Sequence, residues 1–229
     1  MMQRDENSVK YLLTRVGAML SDRTIYSLHA SINYLEVGRW MRAKGYDVSK
    51  RFPSRAALFD FMGQQVADRD VLYMEFGVFK GEATKHWSKL LKNPKSHIHG
   101  FDSFEGLPED YLPHVQKGHF STEGAIPQID DPRVKFHKGW FSDTLPGYKI
   151  PPHEVFVLNL DADLYTSTIF VLNTLKDIIV PGTYIYFDEL NHREHEMKAF
   201  DEFVRDTGMK FSLVGVTRGM QHVAFKRES

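Results

Sequence analysis

The stretch from Val71 to Gly81 constrains the fold of this 229-residue chain more than any other. It starts with a largely apolar run, Val71–Phe76, whose β-branched and aromatic side chains are typical of a buried strand. Gly77 and Gly81 then mark a tight loop, and the residues after it carry apolar side chains at helical spacing as far as Pro94. The stretch therefore predicts a strand, a loop and a helix in succession.

The loop after this strand is a candidate ligand site, because ligands bind at the carboxyl ends of strands in open α/β sheets. Glycine lets the backbone approach a ligand closely, and the following helix offers free N–H groups. Glu75 stands where the dinucleotide pattern Gly-x-Gly-x-x-Gly has its first glycine. An acid there repels phosphate and attracts a cation, which favours S-adenosylmethionine, a nucleoside with a cationic amino-acid end and no phosphate. An ordinary strand-to-helix turn is the alternative interpretation.

Composition excludes several classes of protein. The chain is 42% hydrophobic and 26% charged, as is ordinary for a globular domain, and no apolar stretch approaches the ~20 residues that cross a bilayer. It begins without the basic and apolar regions of a secretory signal, and it has no cysteine for disulfides or thiolate metal sites. Its formal net charge of −1 gives no long-range attraction for nucleic acid. We therefore expect a cytoplasmic protein that binds neither nucleic acid nor a membrane.

Residues 8–67 carry apolar side chains at helical spacing and lack the strand-and-turn pattern of the later chain. Leu28 and Ile32 belong to the apolar face of one predicted helix, which Gly45 ends. The next predicted helix starts with Ser54 as its N-cap.

These patterns predict two parts that form one structural unit. Residues 1–68 are expected to form a helical extension, and residues 69–229 a Rossmann-like domain that binds S-adenosylmethionine. Three interpretations of the extension stay open: it covers an edge of the sheet, it pairs with a second copy of the chain, or it forms a lid over a substrate pocket.

From residue 70 onward predicted strands alternate with predicted helices, the pattern of a doubly wound, mostly parallel α/β sheet. Further strands are predicted at residues 97–102, 134–137, 155–160 and 183–187, and a terminal hairpin at residues 211–216 and 221–225. The irregular stretch at residues 103–128 is rich in glycine and proline, and we expect it to border the active site.

Asp102 ends the second predicted strand, about 20 residues beyond the glycine loop, where an acid binds ribose hydroxyls in dinucleotide folds. Trp140 follows the third predicted strand and is interpreted either as a core aromatic or as a neighbour of adenine. Both positions lie at the strand ends that also carry the glycine loop.

Carboxylates follow the next two predicted strands. Asp161 comes directly after residues 155–160, and Asp188 and Glu189 come directly after residues 183–187. Oxygen ligands that converge from two strand ends suit a hard cation such as Mg²⁺, which would also offset their mutual repulsion. The alternative is that these acids are helix N-caps or ordinary loop residues.

Five motifs between residues 70 and 205 resemble, in order, those of the macrocin O-methyltransferase family of class I S-adenosylmethionine-dependent methyltransferases. They are MEFGVFKG at 74–81, FDSFEGLP at 101–108, GWFSDTLP at 139–146, DADLYTST at 161–168 and FDE at 187–189. The resemblance implies a seven-stranded sheet with an antiparallel last strand. It also implies Mg²⁺-dependent methyl transfer to a hydroxyl of a small molecule, such as a sugar moiety of a natural product.

The resemblance further implies which residues bind each group. The implied metal ligands are Asp161, Asp188 and Glu189, although Glu189 stands where the family usually has a second aspartate, and its longer side chain would shift the ion. The implied cofactor-binding residues are Glu75, Gly77, Phe79, Gly81, Asp102, Ser103, Gly139, Trp140 and Asp161.

Methyl transfer to an alcohol also needs a base for the hydroxyl proton. Related metal-dependent catechol methyltransferases have a lysine where this chain has Leu164, so another group must serve. We rank His192 first, because the pKa of a histidine is near 6.5 and best matched, then Asp161 and then His195, with Asp163 as a further candidate.

Two other functions stay open from the sequence. A Rossmann-type NAD(P)-dependent oxidoreductase is disfavoured, because Glu75 stands where a pyrophosphate would need glycine. A catalytically silent binding protein is disfavoured by the carboxylates at both strand ends, since a silent fold has no physical reason to keep like charges close together.

Overall fold

The structure, a computed structural model, describes residues 2–112 and 114–229. Within these residues the helices are α1 (Met2–Gly17), α2 (Asp22–Ala43), α3 (Arg55–Val66), α4 (Glu82–Leu90), α5 (Phe141–Thr144), α6 (Tyr165–Leu175) and α7 (Glu196–Thr207). A short 3-10 helix, Lys176–Ile178, follows α6. The strands are β1 (Arg51–Phe52), β2 (Val71–Phe76), β3 (His97–Asp102), β4 (Val134–Lys138), β5 (Val155–Leu160), β6 (Tyr184–Phe187), β7 (Phe211–Thr217) and β8 (Val223–Arg227).

Among the described residues, eight strands form one sheet in the order β1-β7-β8-β6-β5-β2-β3-β4. Neighbouring strands are parallel except at β8, which is antiparallel to both β6 and β7. The chain runs outward from β2 to β4 and then returns to β5, so the strand order reverses between β2 and β5. The α/β class and the doubly wound, mostly parallel sheet are confirmed, and this reversal is where such sheets bind ligands.

The strand count is a correction to the sequence analysis. The resemblance implied seven strands, whereas β1 adds an eighth at the edge of the sheet, where Arg51 pairs with Val216 and Phe52 with Thr217 in parallel. A strand of two residues shows no alternation of apolar and polar side chains, so the sequence pattern could not reveal it.

Helices cover both faces of the sheet, and β2 lies buried between them. Leu72 and Met74 face the layer that contains α6 and α7, while Val71 and Tyr73 face the layer that contains α3 and α4. All of β2 is buried, as expected for a central parallel strand with helices on both faces. The core thus fixes β2 rigidly and holds the loop after it in place.

The predicted apolar face of α2 is mostly not part of the core. Val37 and Met41 are buried, but Leu28, Ile32 and Leu35 are exposed, Leu35 to 73%. The predicted helix is confirmed, and the exposed side chains lie in its first two-thirds. An apolar face therefore remains uncovered on this part of the described chain.

The segment from β1 to the end of α3 lies within the predicted extension, and it joins the sheet through β1 and packs α3 against it. Ser54 caps α3 as predicted, since its hydroxyl accepts a hydrogen bond from the backbone N–H of Ala57. Gly45 has a φ of +74° just after α2, as predicted for a helix stop.

The division of the chain between residues 68 and 69 stays a prediction. No described helix is long and apolar enough to cross a membrane.

Candidate active site

A cavity of about 580 Å³ lies at the carboxyl ends of β2, β3, β5 and β6, under part of the segment between β3 and β4. The predicted site residues that line it are Gly77, Phe79, Asp102, Ser103, Trp140, Asp161, Asp188 and Glu189. The predicted site residues absent from its lining are Glu75, Gly81, Gly139, His192 and His195. The segment at residues 103–128 contributes Ser103, Gly106, Leu107, Pro108 and Phe120 to the lining, so it borders the cavity as expected.

Gly77 brings the loop after β2 against the end of β5. Its φ is +91°, and a Cβ atom at this position would lie 1.8 Å from the carbonyl oxygen of Asp161. Its N–H donates to the carbonyl of Phe101 at 3.0 Å. The absence of a side chain at Gly77 therefore lets the ends of β2, β3 and β5 meet at one side of the cavity.

Asp102 braces the same loop. Its Oδ2 accepts hydrogen bonds from the N–H groups of Val78 and Phe79 at 2.7 and 2.8 Å, and its Oδ1 accepts one from Phe104 at 2.7 Å. Phe79 has a φ of +51°, a conformation that is costly without such support. Asp102 therefore fixes the loop backbone and presents a carboxylate to the cavity.

Glu75 lies beneath the loop. Its Oε2 accepts hydrogen bonds from Thr84 Oγ1 at 2.7 Å and from the Tyr73 hydroxyl at 2.9 Å, and the side chain is buried. Burial raises the pKa of Glu75 to about 7. Glu75 and Tyr73 share a face of β2, so the side chain points toward α4 and away from the cavity. Glu75 does not line the cavity, and its predicted role in cofactor binding stays a prediction.

The two other glycines act in the backbone around the cavity. Gly81 is the N-cap of α4 with a φ of +74°, and its missing side chain leaves room for Pro127. Gly139 has a φ of +145° and donates its N–H to the carbonyl of Asp102 at 2.9 Å. Both glycines thus shape the loops that surround the cavity without lining it.

Trp140 resolves one of the open alternatives. It is 37% exposed and lines the cavity, so it is not a core aromatic. Phe141 next to it also lines the cavity and packs edge-on against Phe76, with ring centroids 5.2 Å apart. Together with Phe170 these rings form an apolar side of the cavity that suits a flat heterocycle.

The opposite side of the cavity is acidic. Asp161, Asp163, Asp188 and Glu189 all line it, and Glu196 is buried behind them, where it accepts a hydrogen bond from the N–H of Glu189 at 3.0 Å. Burial and the neighbouring carboxylates Glu189 and Asp188 raise the pKa of Asp163 to about 8. Burial and Asp188 likewise raise the pKa of Asp161. The site therefore favours protons or cations at this wall.

Arg55 supplies a cation that the sequence analysis did not identify. Its Nη1 lies 3.1 Å from Asp188 Oδ1 and 3.5 Å from Asp161 Oδ2. These carboxylates raise the pKa of Arg55 although burial alone would lower it. One feature of the sequence could have pointed to Arg55: it is a basic residue in the first turn of a predicted helix, where the helix dipole disfavours positive charge.

His192 and His195 lie behind Glu189. His192 Nε2 is 3.6 Å from Glu189 Oε2, and the ring of His195 contacts the ring of Tyr111 edge-on, with centroids 4.5 Å apart. Tyr111 donates its hydroxyl hydrogen bond to Glu189 Oε2. Burial lowers the pKa of both histidines. Neither imidazole lines the cavity.

The wall offers the right donor chemistry for a hard cation, since Asp161, Asp188 and Glu189 present carboxylate oxygens. In this arrangement Arg55 occupies the space between Asp161 and Asp188, and Glu189 is turned toward Tyr111. Accordingly, the described residues contain no group of three or more histidine, cysteine or acidic side chains that could hold a metal as they stand. The carboxylates therefore suit a hard cation, and the guanidinium of Arg55 is bound to two of them.

The sheet order, with a cavity where that order reverses, is that of the Rossmann-like fold of class I methyltransferases. Solved structures share it: the O-methyltransferase NovP is 24% identical, with a TM-score of 0.55 over 75% of this chain and 76% of that one. The calicheamicin methyltransferase CalS11 is 22% identical, with a TM-score of 0.59 over 76% and 80%. Within this class, the model of the macrocin O-methyltransferase (TylF) family matches residues 61–226, and the chain belongs to that family.

Two curated relatives match parts of the chain. The 8-demethyl-8-(2,3-dimethoxy-alpha-L-rhamnosyl)-tetracenomycin-C 4'-O-methyltransferase of Streptomyces olivaceus is 29% identical, over 51% of each chain. The demethyldecarbamoylnovobiocin O-methyltransferase of Streptomyces niveus is 33% identical, over 38% of this chain and 33% of the relative. This chain thus spans about half or less of the length of these relatives.

Proposed function

We propose that the chain transfers a methyl group from S-adenosylmethionine to a hydroxyl of a small natural product, preferably on a sugar moiety. The observation that carries the proposal is one cavity with the glycine loop and Asp102 on one side and four carboxyl groups on another. Membership of the macrocin O-methyltransferase family supports the reaction class. The name of the Streptomyces olivaceus relative, a rhamnosyl 4'-O-methyltransferase, supports a deoxysugar as the acceptor.

The cofactor would lie across the ends of β2 and β3. Gly77 would let the methionine portion approach the backbone. Asp102, which lines the cavity, would accept hydrogen bonds from the ribose hydroxyls. Trp140 and Phe141 would contact adenine through their apolar faces. Phe79, Ser103 and Asp161 line the remaining space and are proposed as further contacts.

A divalent cation, Mg²⁺ by preference, is proposed at Asp161, Asp188 and Glu189. Bound there, the ion would supply positive charge beside the acceptor oxygen. Asp161 and Asp188 follow the neighbouring strands β5 and β6, which brings their carboxyl groups close together. The Tyr186 hydroxyl donates a hydrogen bond to Asp188 Oδ1 at 2.7 Å and fixes that side chain. The Tyr111 hydroxyl and Gln221 Nε2 orient Glu189 in the same way.

The geometry supports Asp163 as the base in preference to the predicted His192, Asp161 and His195. Asp163 lines the cavity, whereas neither histidine does. Its backbone has a φ of +58°, a left-handed conformation that aspartate tolerates better than most residues. Asp161 accepts a hydrogen bond from Arg55 and is also a proposed ligand of the cation.

The setting of the enzyme is also a proposal. The absence of cysteine supports a cytoplasmic location. The uncovered apolar side chains of α1 and α2 support pairing with a second copy of the chain. Light scattering of the wild type would then give a dimer mass, and Leu28→Glu with Leu35→Glu would give a monomer. Val180→Glu, at an exposed position after α6, is the matched control.

Calorimetric titration and a transfer assay test the proposed function. S-adenosylhomocysteine should bind, NADH should not, and labelled S-adenosylmethionine should methylate a rhamnosyl natural product. Binding of NADH without S-adenosylhomocysteine would mean an oxidoreductase. Binding of S-adenosylhomocysteine without transfer to any acceptor in a panel of glycosylated products would mean a silent binding protein.

A further inference from the structure

The geometry points to Arg55 as an internal competitor for the proposed cation, so that this side chain sets the metal affinity of the site. The inference rests on the proposed function, because it concerns the proposed ligands Asp161 and Asp188. Arg55 Nη1 contacts oxygen atoms of both residues, at 3.5 and 3.1 Å. Arg55 lines the same cavity as its two partners.

Guanidinium and metal exclude each other by geometry. An ion such as Mg²⁺ binds carboxylate oxygens at 2.0–2.1 Å. Two oxygens that share such an ion lie at most ~4 Å apart with no other atom between them. Arg55 Nη1 contacts one oxygen atom of each carboxylate. A cation that took these two oxygens would displace the guanidinium, so each lowers the occupancy of the other.

The position of Arg55 in the chain is otherwise unfavourable. It is the first residue of α3, where the positive end of the helix dipole disfavours a cation. No acidic residue is present in the first turn of α3 to offset this. The carboxylates of β5 and β6, more than 100 residues away in sequence, offset it instead.

Glu82 offers the arginine a second partner. Its Oε2 lies 3.9 Å from Arg55 Nη2, and the Glu82 side chain is 82% exposed. A small rotation of the guanidinium toward Glu82 would keep it paired after a metal ion takes Asp161 and Asp188. The exposed pair is weak, so it permits exchange in both directions.

The test is the affinity for Mn²⁺ and Mg²⁺, measured by calorimetry with S-adenosylhomocysteine saturating. Arg55→Gln should bind both ions at least about tenfold more tightly than the wild type, because a unit charge beside the ion is removed. Glu82→Gln should bind them more weakly by a few-fold, because the displaced guanidinium loses its second partner. Arg69→Gln, which breaks an exposed ion pair with Glu154, is the matched control and should bind as the wild type does.

Thermal unfolding supplies a second readout. Without metal Arg55→Gln should melt below the wild type, and saturating Mg²⁺ should stabilise the variant more than the wild type. If Arg55→Gln does not fold, Arg55→Lys keeps the charge but cannot span both carboxylates, and it should also bind Mg²⁺ more tightly. Equal or weaker metal binding by Arg55→Gln and Arg55→Lys overturns the inference while the metal site stands. Absence of metal binding in every protein, with S-adenosylhomocysteine bound normally, overturns the proposed metal site and the competition together.

Discussion

Tyr111, in the segment between β3 and β4, donates its hydroxyl hydrogen bond to Oε2 of Glu189 at the end of β6. The contact joins residues 78 positions apart in sequence and ties the segment over the cavity to its acidic wall. Leu107, Val115 and Leu164 pack around Tyr111 as a small apolar cluster. Burial and Glu189 raise the pKa of Tyr111, so the hydroxyl stays protonated and remains a donor. The position of this segment and the orientation of Glu189 therefore depend on each other.

Tyr111→Phe should loosen the segment without unfolding the protein. The variant keeps the ring and loses a hydrogen bond to a charged group, an interaction worth about 1.5–3 kcal/mol. We expect hydrogen exchange of residues 107–112 to become about tenfold faster or more, with exchange in β2 unchanged. Tyr165→Phe removes a similar bond to Glu202, at a part-buried site outside this segment, and is the control. Unchanged exchange of the segment in Tyr111→Phe would show that the apolar cluster alone holds it.

Gly77→Ala should disrupt both the fold and cofactor binding. The new Cβ would lie 1.8 Å from the carbonyl oxygen of Asp161, on a backbone with a φ of +91°. Strain and overpacking together cost about 2–5 kcal/mol. Urea unfolding should show this loss, and S-adenosylhomocysteine binding should be lost. Gly147→Ala, where no atom lies within 4 Å of the added Cβ, should stay within about 0.5 kcal/mol of the wild type.

Asp102→Asn should weaken cofactor binding more than tenfold. The amide replaces one of the two oxygens that accept backbone N–H groups, so an NH₂ group would face a donor of the loop. It also removes the charge that would assist bonds to the ribose hydroxyls, each worth roughly 1.5–3 kcal/mol. Calorimetry with S-adenosylhomocysteine measures the effect. Asp47→Asn, in an exposed turn where Asp47 accepts from Ser49, provides the comparison. Equal affinity of Asp102→Asn and the wild type would place the ribose elsewhere.

Local patterns in the sequence were sufficient for the strands from β2 onward, the glycine loop and the carboxylates at the strand ends. Gly77 and Asp161 were found because each follows a strongly apolar run, and Asp102 because it ends a strand about 20 residues beyond the glycine loop. Alternation within β2 also held information that the sequence analysis did not use. Glu75 is two residues after Tyr73, so it had to share the face of β2 that packs on α3 and α4.

Contacts between distant segments were not predictable in this way. Arg55 meets Asp161 and Asp188 across 106 and 133 residues, and no local periodicity encodes such a pair. Tyr111 lies in a segment without regular spacing, so its side-chain direction could not be inferred. The ranking of His192 rested on pKa alone, whereas access to the cavity depends on how Glu189 is oriented.

Asp163→Asn and His192→Ala distinguish the two candidate bases. Asparagine tolerates the left-handed backbone of Asp163, so the variant removes the carboxylate with little strain. Turnover of Asp163→Asn at saturating cofactor and acceptor should fall ~10²–10⁴-fold. His192→Ala should stay within a few-fold of the wild type, because His192 does not line the cavity. The opposite result would return the role of base to His192.

Glu75→Gln should stabilise the protein at alkaline pH and leave it nearly unchanged at pH 5. The pKa of Glu75 is about 7 in the folded chain, against an ordinary value of 4.5. Between these values the folded protein binds more protons than the unfolded chain, so the free energy of unfolding falls as pH rises through this window. Above pH 7 the full penalty, on the order of 3 kcal/mol, applies to the wild type. Glutamine carries no charge, and its carbonyl oxygen can accept from both Thr84 and Tyr73.

Urea unfolding midpoints at pH 5 and pH 8 measure this difference for Glu75→Gln and the wild type. Glu154→Gln is the control, because the hydrogen bond from Arg69 lowers the pKa of the exposed Glu154 and gives the opposite sign. That variant should gain nothing at pH 8. If Glu75→Gln is no more stable than the wild type at pH 8, Glu75 is ionised at little cost. The buried hydroxyls of Thr84 and Tyr73 then solvate the carboxylate as well as water does.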